Sequence, residues 1–135
     1  MEDGANVRVL IVDDQAPFRD AARAVVERAK GFELIGEAES GEAAVDTVDA
    51  LMPDLVLMDI NMEGISGIEA TTRITAAHPE VTIFLLSTYN RDDLPPDVAS
   101  CGASAYINKE DFGGRILRTT WEDGGQDGWR RRLTS

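Results

Sequence analysis

Cysteine is nearly absent from this chain of 135 residues: Cys101 stands alone. A single cysteine excludes an intrachain disulfide framework and any multi-cysteine zinc site. Histidine is as scarce. His78 alone cannot build a clustered-histidine metal site, and its place before Pro79 reads as a surface residue at a helix end. Basic residues are few, 13 against 25 acidic ones, which leaves a net charge of −12. That deficit argues against direct nucleic-acid binding, where phosphates demand a cationic face, and against docking on anionic lipid. No apolar run approaches the roughly 18 residues that span a bilayer. The start Met1-Glu2-Asp3-Gly4 is polar and acidic, unlike a signal peptide. A cytoplasmic protein without membrane contact is the expectation.

What is present suffices for a core. Apolar residues make up 43% of the chain, and the length fits one domain. The apolar pattern alternates between two periods. Val7 to Val12, Phe32 to Ala38, Leu55 to Met58, Val81 to Leu86 and Ala105 to Ile107 read as short strands. Several are contiguous rather than alternating, as strands buried on both faces are.

Helical spacing falls between the strands. Phe18, Ala21, Ala22, Val25, Val26 and Ala29 share a face, with Pro17 in the first turn and Gly31 at the end. Ser40 caps a second helix to about Met52, with Val45, Val48 and Met52 inward. Ser66-Gly67-Ile68-Glu69 has capping-box spacing for a third helix to about Ala77. Pro95 and Pro96 reduce the stretch Arg91 to Ser100 to a short helix, closed at Gly102. A last helix is expected over Asp111 to Trp121.

Residues 1–121 are then the domain. Residues 122–135, with three glycines and Arg130-Arg131-Arg132, read as a flexible tail. Five βα repeats imply a three-layer α/β sandwich, flavodoxin-like (βα)5, with a parallel five-stranded sheet in the order 2-1-3-4-5.

In such a sheet ligands bind beyond the carboxyl ends of the strands. The first strand delivers Asp13 and Asp14 there. The third delivers Asp59, with Asn61 two residues on; the fourth delivers Ser87 and the fifth Lys109. Singly, each has a bland explanation, since a strand-end aspartate is commonly a turn or cap residue. Jointly they place three carboxylates in one pocket. Two like charges about 4 Å apart repel by roughly 4 kcal/mol at an effective dielectric of 20. A divalent cation offsets this, and hard oxygen ligands favour Mg2+, with Mn2+ as a substitute. A carboxylate nucleophile beside a metal, a lysine and a hydroxyl is equipment for phosphoryl transfer.

The runs Val9-Leu10-Ile11-Val12-Asp13-Asp14, Leu55-Val56-Leu57-Met58-Asp59-Ile60-Asn61-Met62 with Gly64 and Gly67, Phe84-Leu85-Leu86-Ser87 and Gly102-Ala103-Ser104-Ala105-Tyr106-Ile107-Asn108-Lys109 carry a family signature. Over Val7 to Trp121 the sequence resembles the receiver domain of two-component response regulators, nearest in style to those of LuxR-type transcription regulators. The resemblance implies that Asp59 accepts a phosphoryl group from a phosphohistidine on a sensor kinase or phosphotransfer protein. It implies that Asp14, Asp59 and the Asn61 carbonyl ligate Mg2+, with Asp13 acting mainly through water. Ser87 and Lys109 would contact the phosphoryl oxygens, and Tyr106 would rotate as Ser87 moves.

Glu63 and Glu110 stand where the family often has proline. Thr88 and Tyr89 lie near the pocket mouth, where they are expected to restrict water and slow loss of the phosphoryl group. The expectation is a stand-alone receiver, a signalling domain rather than an enzyme, acting on an unidentified downstream protein. Two alternatives are a receiver fragment of a two-domain transcription regulator and a haloacid-dehalogenase-like phosphatase. The latter wants aspartate two residues beyond its nucleophile, where this chain has Asn61. A module that has lost phosphorylation is disfavoured by the complete set of charged groups.

Overall fold

The structure is a computed structural model that describes residues 6–89 and 93–124. Five strands alternate with helices: β1 (Val7–Val12), α1 (Ala16–Arg28), β2 (Phe32–Ala38), α2 (Gly41–Leu51), β3 (Leu55–Asp59), α3 (Gly67–Ala77), β4 (Thr82–Ser87), β5 (Ala105–Asn108) and α4 (Gly114–Gly124). All strand pairs are parallel, in the order β2-β1-β3-β4-β5. Helix α1 packs with α4 on one face and α2 with α3 on the other, as right-handed crossovers require. No helix among the described residues is long and apolar enough to cross a membrane.

The contiguous apolar runs are the interior strands. Leu55, Val56, Leu57 and Met58 of β3 are wholly buried, as are Ile83, Phe84 and Leu85 of β4. Each such side chain contributes about 1.5–3 kcal/mol on burial, so the central strands are the most firmly held part of the sheet. Trp121 of α4 seals the other face, its ring 6.4 Å from those of both Phe32 and Phe84.

Caps set the helix ends. Ser40 Oγ accepts the Ala43 N–H at 3.0 Å and Ser66 Oγ accepts the Glu69 N–H at 3.1 Å, both at the predicted N-caps. Arg8 reaches from β1 to the far end of α2, where its guanidinium donates to the carbonyls of Leu51 at 2.9 Å and Met52 at 2.7 Å. A cation there satisfies orphan carbonyls and suits the helix dipole. His78 follows α3, half-buried rather than on the open surface, and its Nε2 lies 2.6 Å from Asp49 Oδ1 of α2.

Two expectations are corrected here, at Met52 and at the start of α4, while the fourth crossover is as short in helix as its prolines imply. Met52 does not turn inward: it takes the left-handed conformation that ends α2 (φ 48°), and its side chain is exposed. The fourth crossover contains no α-helix among the described residues. As expected of this stretch, it holds a short helix that starts at the prolines, a 3-10 turn over Pro96–Ala99, because Pro95 and Pro96 lack the N–H groups a regular turn needs; residues 90–92 lie outside the described residues. Helix α4 starts at Gly114, not Asp111. A separate 3-10 turn, Lys109–Asp111, takes up the residues before it, and the helix runs on to Gly124. Of the expected tail, residues 125–135 lie outside the described residues.

Candidate functional site

The parallel register brings the ends of β1, β3, β4 and β5 side by side. Val12 pairs with Met58, Asp59 with Leu86, and Ser87 with Asn108. Asp13, Asp59 and Ser87 are buried, and Asp14 is half-buried at the rim. The tight entry to α3 fixes the backbone below Asp59. The Gly67 N–H donates to Ile60 O at 2.8 Å, and a Cβ on Gly67 would fall 1.9 Å from Asp59 O. Only glycine permits that approach.

Lys109 reaches across the sheet into the acids. Its Nζ lies 2.7 Å from Asp13 Oδ2 and 3.2 Å from Asp59 Oδ1, and 4.5 Å from the centre of the Phe18 ring. Burial would lower the Lys109 pKa, but the Asp13 and Asp59 carboxylates outweigh it and hold the ammonium above its ordinary range. Asp59 moves the other way. Burial first, then repulsion from Asp13, pushes its pKa up to about 6 in spite of Lys109. Asp59 is thus an anion held at a cost, which suits a nucleophile whose charge is to be transferred to an incoming group.

Oxygen atoms of Asp13, Asp14 and Asp59 all lie within 4.8 Å of one another, a set that could hold a metal ion. Asp14 Oδ1 is buried without a hydrogen-bond partner, although it carries lone pairs that burial strips of water. A hard cation fits that unmet demand, and the donor set is all oxygen. Asp14, Asn61, Met62, Glu63 and Ser66 line an open cleft of about 350 Å³ beside this corner. Asp13 also serves locally, its Oδ1 accepting the Gln15 N–H at 2.8 Å. The turn role and the charge role therefore coexist.

On the other side of Asp59, Ser87 joins a closed circuit of hydrogen bonds. Ser87 Oγ accepts the Tyr89 N–H at 2.9 Å and lies 3.2 Å from the Tyr106 hydroxyl. The Tyr106 hydroxyl donates in turn to the Tyr89 carbonyl. Burial, partly offset by the Ser87 contact, raises the Tyr106 pKa, so it remains a protonated donor. Tyr106 therefore already points inward. Thr88 is exposed, whereas Tyr89 is half-buried, and its hydroxyl reaches Asn61 Oδ1 at 3.5 Å.

All the predicted residues, Asp13, Asp14, Asp59, Asn61, Ser87, Tyr106 and Lys109, meet at this end of the sheet. Three neighbours were not foreseen in these roles. Phe18 floors Lys109; Arg19 Nη1 donates to Asp13 O at 2.7 Å; and Asn108 Nδ2 donates to Tyr89 O at 3.1 Å. Strand alternation could have found Asn108, since it shares a face of β5 with Tyr106. The Lys109–Glu110 peptide is trans.

Comparison with known proteins agrees with this geometry. Residues 9–119 match the family model of the response regulator receiver domain. The chain is 40% identical over 103 residues to the response regulator UvrY of Escherichia coli O6:H1, covering 76% of this chain and 47% of that protein. It is 35% identical over 104 residues to the transcriptional regulatory protein DegU of Brevibacillus brevis, covering 77% of this chain and 44% of that one. The chain thus spans about half the length of these curated relatives. A LuxR-family two-component response regulator from Aurantimonas superposes with a TM-score of 0.79 at 25% identity, covering 96% of this chain and 99% of that one. In this family phosphorylation on an aspartate in two-component signalling is the general function. With the family match, the sheet order and the strand-end acids in agreement, this chain belongs to the response regulator receiver domain family.

Proposed function

We propose that Asp59 is the phosphoacceptor and that the receiver expected over residues 1–121 extends to the end of α4 at Gly124, with the residues beyond it as an appended tail. The observation that carries this reading is Lys109 Nζ seated between Asp13 and Asp59, beside the unpartnered Asp14 Oδ1. A carboxylate oxygen of Asp59 attacks the phosphorus of a phosphohistidine on a sensor kinase or phosphotransfer protein. The P–N bond breaks, the imidazole leaves with the electron pair and takes up a proton, and an acyl phosphate forms on Asp59. Asp14, Asp59 and the Asn61 carbonyl would hold Mg2+ (or Mn2+), with Asp13 acting through water. When bound, the ion neutralises charge on the phosphoryl oxygens. Lys109 supplies a second cation there, and Ser87 a hydroxyl donor.

The added charge draws Ser87 and Lys109 inward and biases Tyr106, which alters a protein-binding surface. The role is that of a signalling domain that catalyses only its own phosphorylation and dephosphorylation. Its output is a contact with a downstream protein in the cytoplasm, and its net charge of −12 disfavours direct nucleic-acid binding. The haloacid-dehalogenase-like alternative is not favoured, given the receiver match over residues 9–119.

The test is incubation with acetyl phosphate and Mg2+, followed by intact-mass measurement. Wild type should gain one phosphoryl group, lost at alkaline pH as acyl phosphates are; Asp59→Asn should gain none. A phosphoryl group retained by Asp59→Asn would overturn the assignment.

A further inference from the structure

Asn108 stands between the switch tyrosine and the pocket lysine, and its side chain is used at both ends. Nδ2 donates to the Tyr89 carbonyl at 3.1 Å, and Oδ1 accepts the Glu110 N–H at 2.9 Å. The orientation is self-consistent. A flipped amide would set oxygen against the carbonyl and NH2 against the N–H. The Glu110 N–H exists because position 110 is not proline. One amide therefore ties the loop after β4 to the turn that begins at Lys109.

The Tyr89 carbonyl has two lone pairs and, among the described residues, two donors, Tyr106 and Asn108. These donors are not equivalent. Tyr106 is half-buried at the end of a ring that can rotate about its side-chain torsions, whereas Asn108 is pinned by Glu110 N–H and by its ladder pairing with Ser87. If the Tyr106 ring turns away, the carbonyl keeps Asn108. The Tyr89 N–H then remains on Ser87 Oγ, and the turn that carries the hydroxyl stays in place.

We propose that Asn108 is a positioning residue: a second latch on the Tyr89 carbonyl that holds the Ser87 turn while Tyr106 changes rotamer. The inference rests on the phosphoacceptor reading for its functional meaning, but the latch itself can be read in the chain without any ligand. Shared acceptance sets the expected pattern. Loss of either donor is partly covered by the other, so loss of both exceeds the product of the single effects.

The experiment is backbone amide hydrogen exchange at Tyr89 by NMR on the full chain, paired with the affinity for beryllofluoride, a phosphoryl mimic, in the presence of Mg2+. Asn108→Asp keeps an acceptor for the Glu110 N–H but faces the Tyr89 carbonyl with oxygen. It should speed exchange at Tyr89 about threefold to tenfold, the worth of one ordinary hydrogen bond, with Glu110 protection retained. Asn108→Ala should speed exchange at both amides. Tyr106→Phe should have a smaller effect at Tyr89, and the double variant should exceed the product of the two. Beryllofluoride affinity should fall in the same order. Wild-type protection of Tyr89 in both Asn108 variants, or a double variant equal to the product, would overturn the latch. If wild type fails to bind beryllofluoride, the phosphoacceptor reading falls, while the exchange rates still decide the latch.

Discussion

Asp59→Asn should make the metal-free protein more stable, although it removes the proposed phosphoacceptor. The argument starts from a buried carboxyl whose pKa is raised from 3.8 to about 6, by burial first and then by Asp13. A raised acid binds its proton more tightly in the folded state than in the unfolded one. Its contribution to stability is full below the unfolded pKa and is lost as pH rises through the folded pKa. At 1.36 kcal/mol per unit, ionised Asp59 costs the fold about 3 kcal/mol at about pH 8. Near pH 5 the same linkage leaves a cost of about 1.5 kcal/mol, because the folded group is then mostly protonated while the unfolded one is not.

Asparagine keeps an acceptor for Lys109 and carries no charge, so it escapes this cost. Urea unfolding in EDTA should show the variant ahead by about 3 kcal/mol at about pH 8, with the gap roughly halved at about pH 5. Added Mg2+ should close the gap from the wild-type side, since it stabilises only a fold that binds it. A variant no more stable than wild type in EDTA at the higher pH, or a gap that does not shrink with acidification, would refute the reasoning.

Lys109→Met should act in the opposite sense, leaving two buried carboxylates without their cation, and should cost about 3–5 kcal/mol in urea unfolding. It should also abolish acyl-phosphate formation from acetyl phosphate, and normal phosphorylation of a folded variant would refute its role. Tyr89→Ala removes the hydroxyl that reaches Asn61 across the pocket mouth, so the acyl phosphate should lose its phosphoryl group faster; equal half-lives in the two proteins would sink the idea. Gly67→Ala places a methyl 1.9 Å from Asp59 O and should destabilise the fold by roughly 2 kcal/mol or more, as overpacking against backbone does. An unchanged denaturation midpoint would show that the α3 entry is less rigid than its hydrogen bond suggests.

Much of this site is legible in sequence because of one geometric fact. In a parallel sheet every strand ends at the same edge, so the residue after each buried run is placed by periodicity alone. Asp13, Asp59, Ser87 and Lys109 are found that way, and their chemistry makes sense of one another. Interactions set by loop conformation are not legible. Asn108 meets Tyr89 across 19 positions of chain, a pairing that no periodicity of the sequence announces. Arg19 is an ordinary exposed-looking helix residue until α1 leans its guanidinium over the Asp13 carbonyl. Met52 has the spacing of a core residue, but the need to leave α2 through a left-handed turn outweighs its apolarity.

The seat of Lys109 on Phe18 links the charged pocket to a face of the molecule that has no charge in the reaction. The ammonium has three attachments: two carboxylates and a ring. The carboxylates move with the sheet, but the ring belongs to α1, and it touches Phe112 just ahead of α4 at 6.2 Å between centroids. An ammonium drawn toward an anion beside Asp59 trades ring contact for ionic contact. Phe18 would then lose a contact worth about 0.5–2 kcal/mol. On the phosphoacceptor reading, a negative group arriving beside Asp59 would thus be felt at the Phe18–Phe112 contact through Lys109 itself.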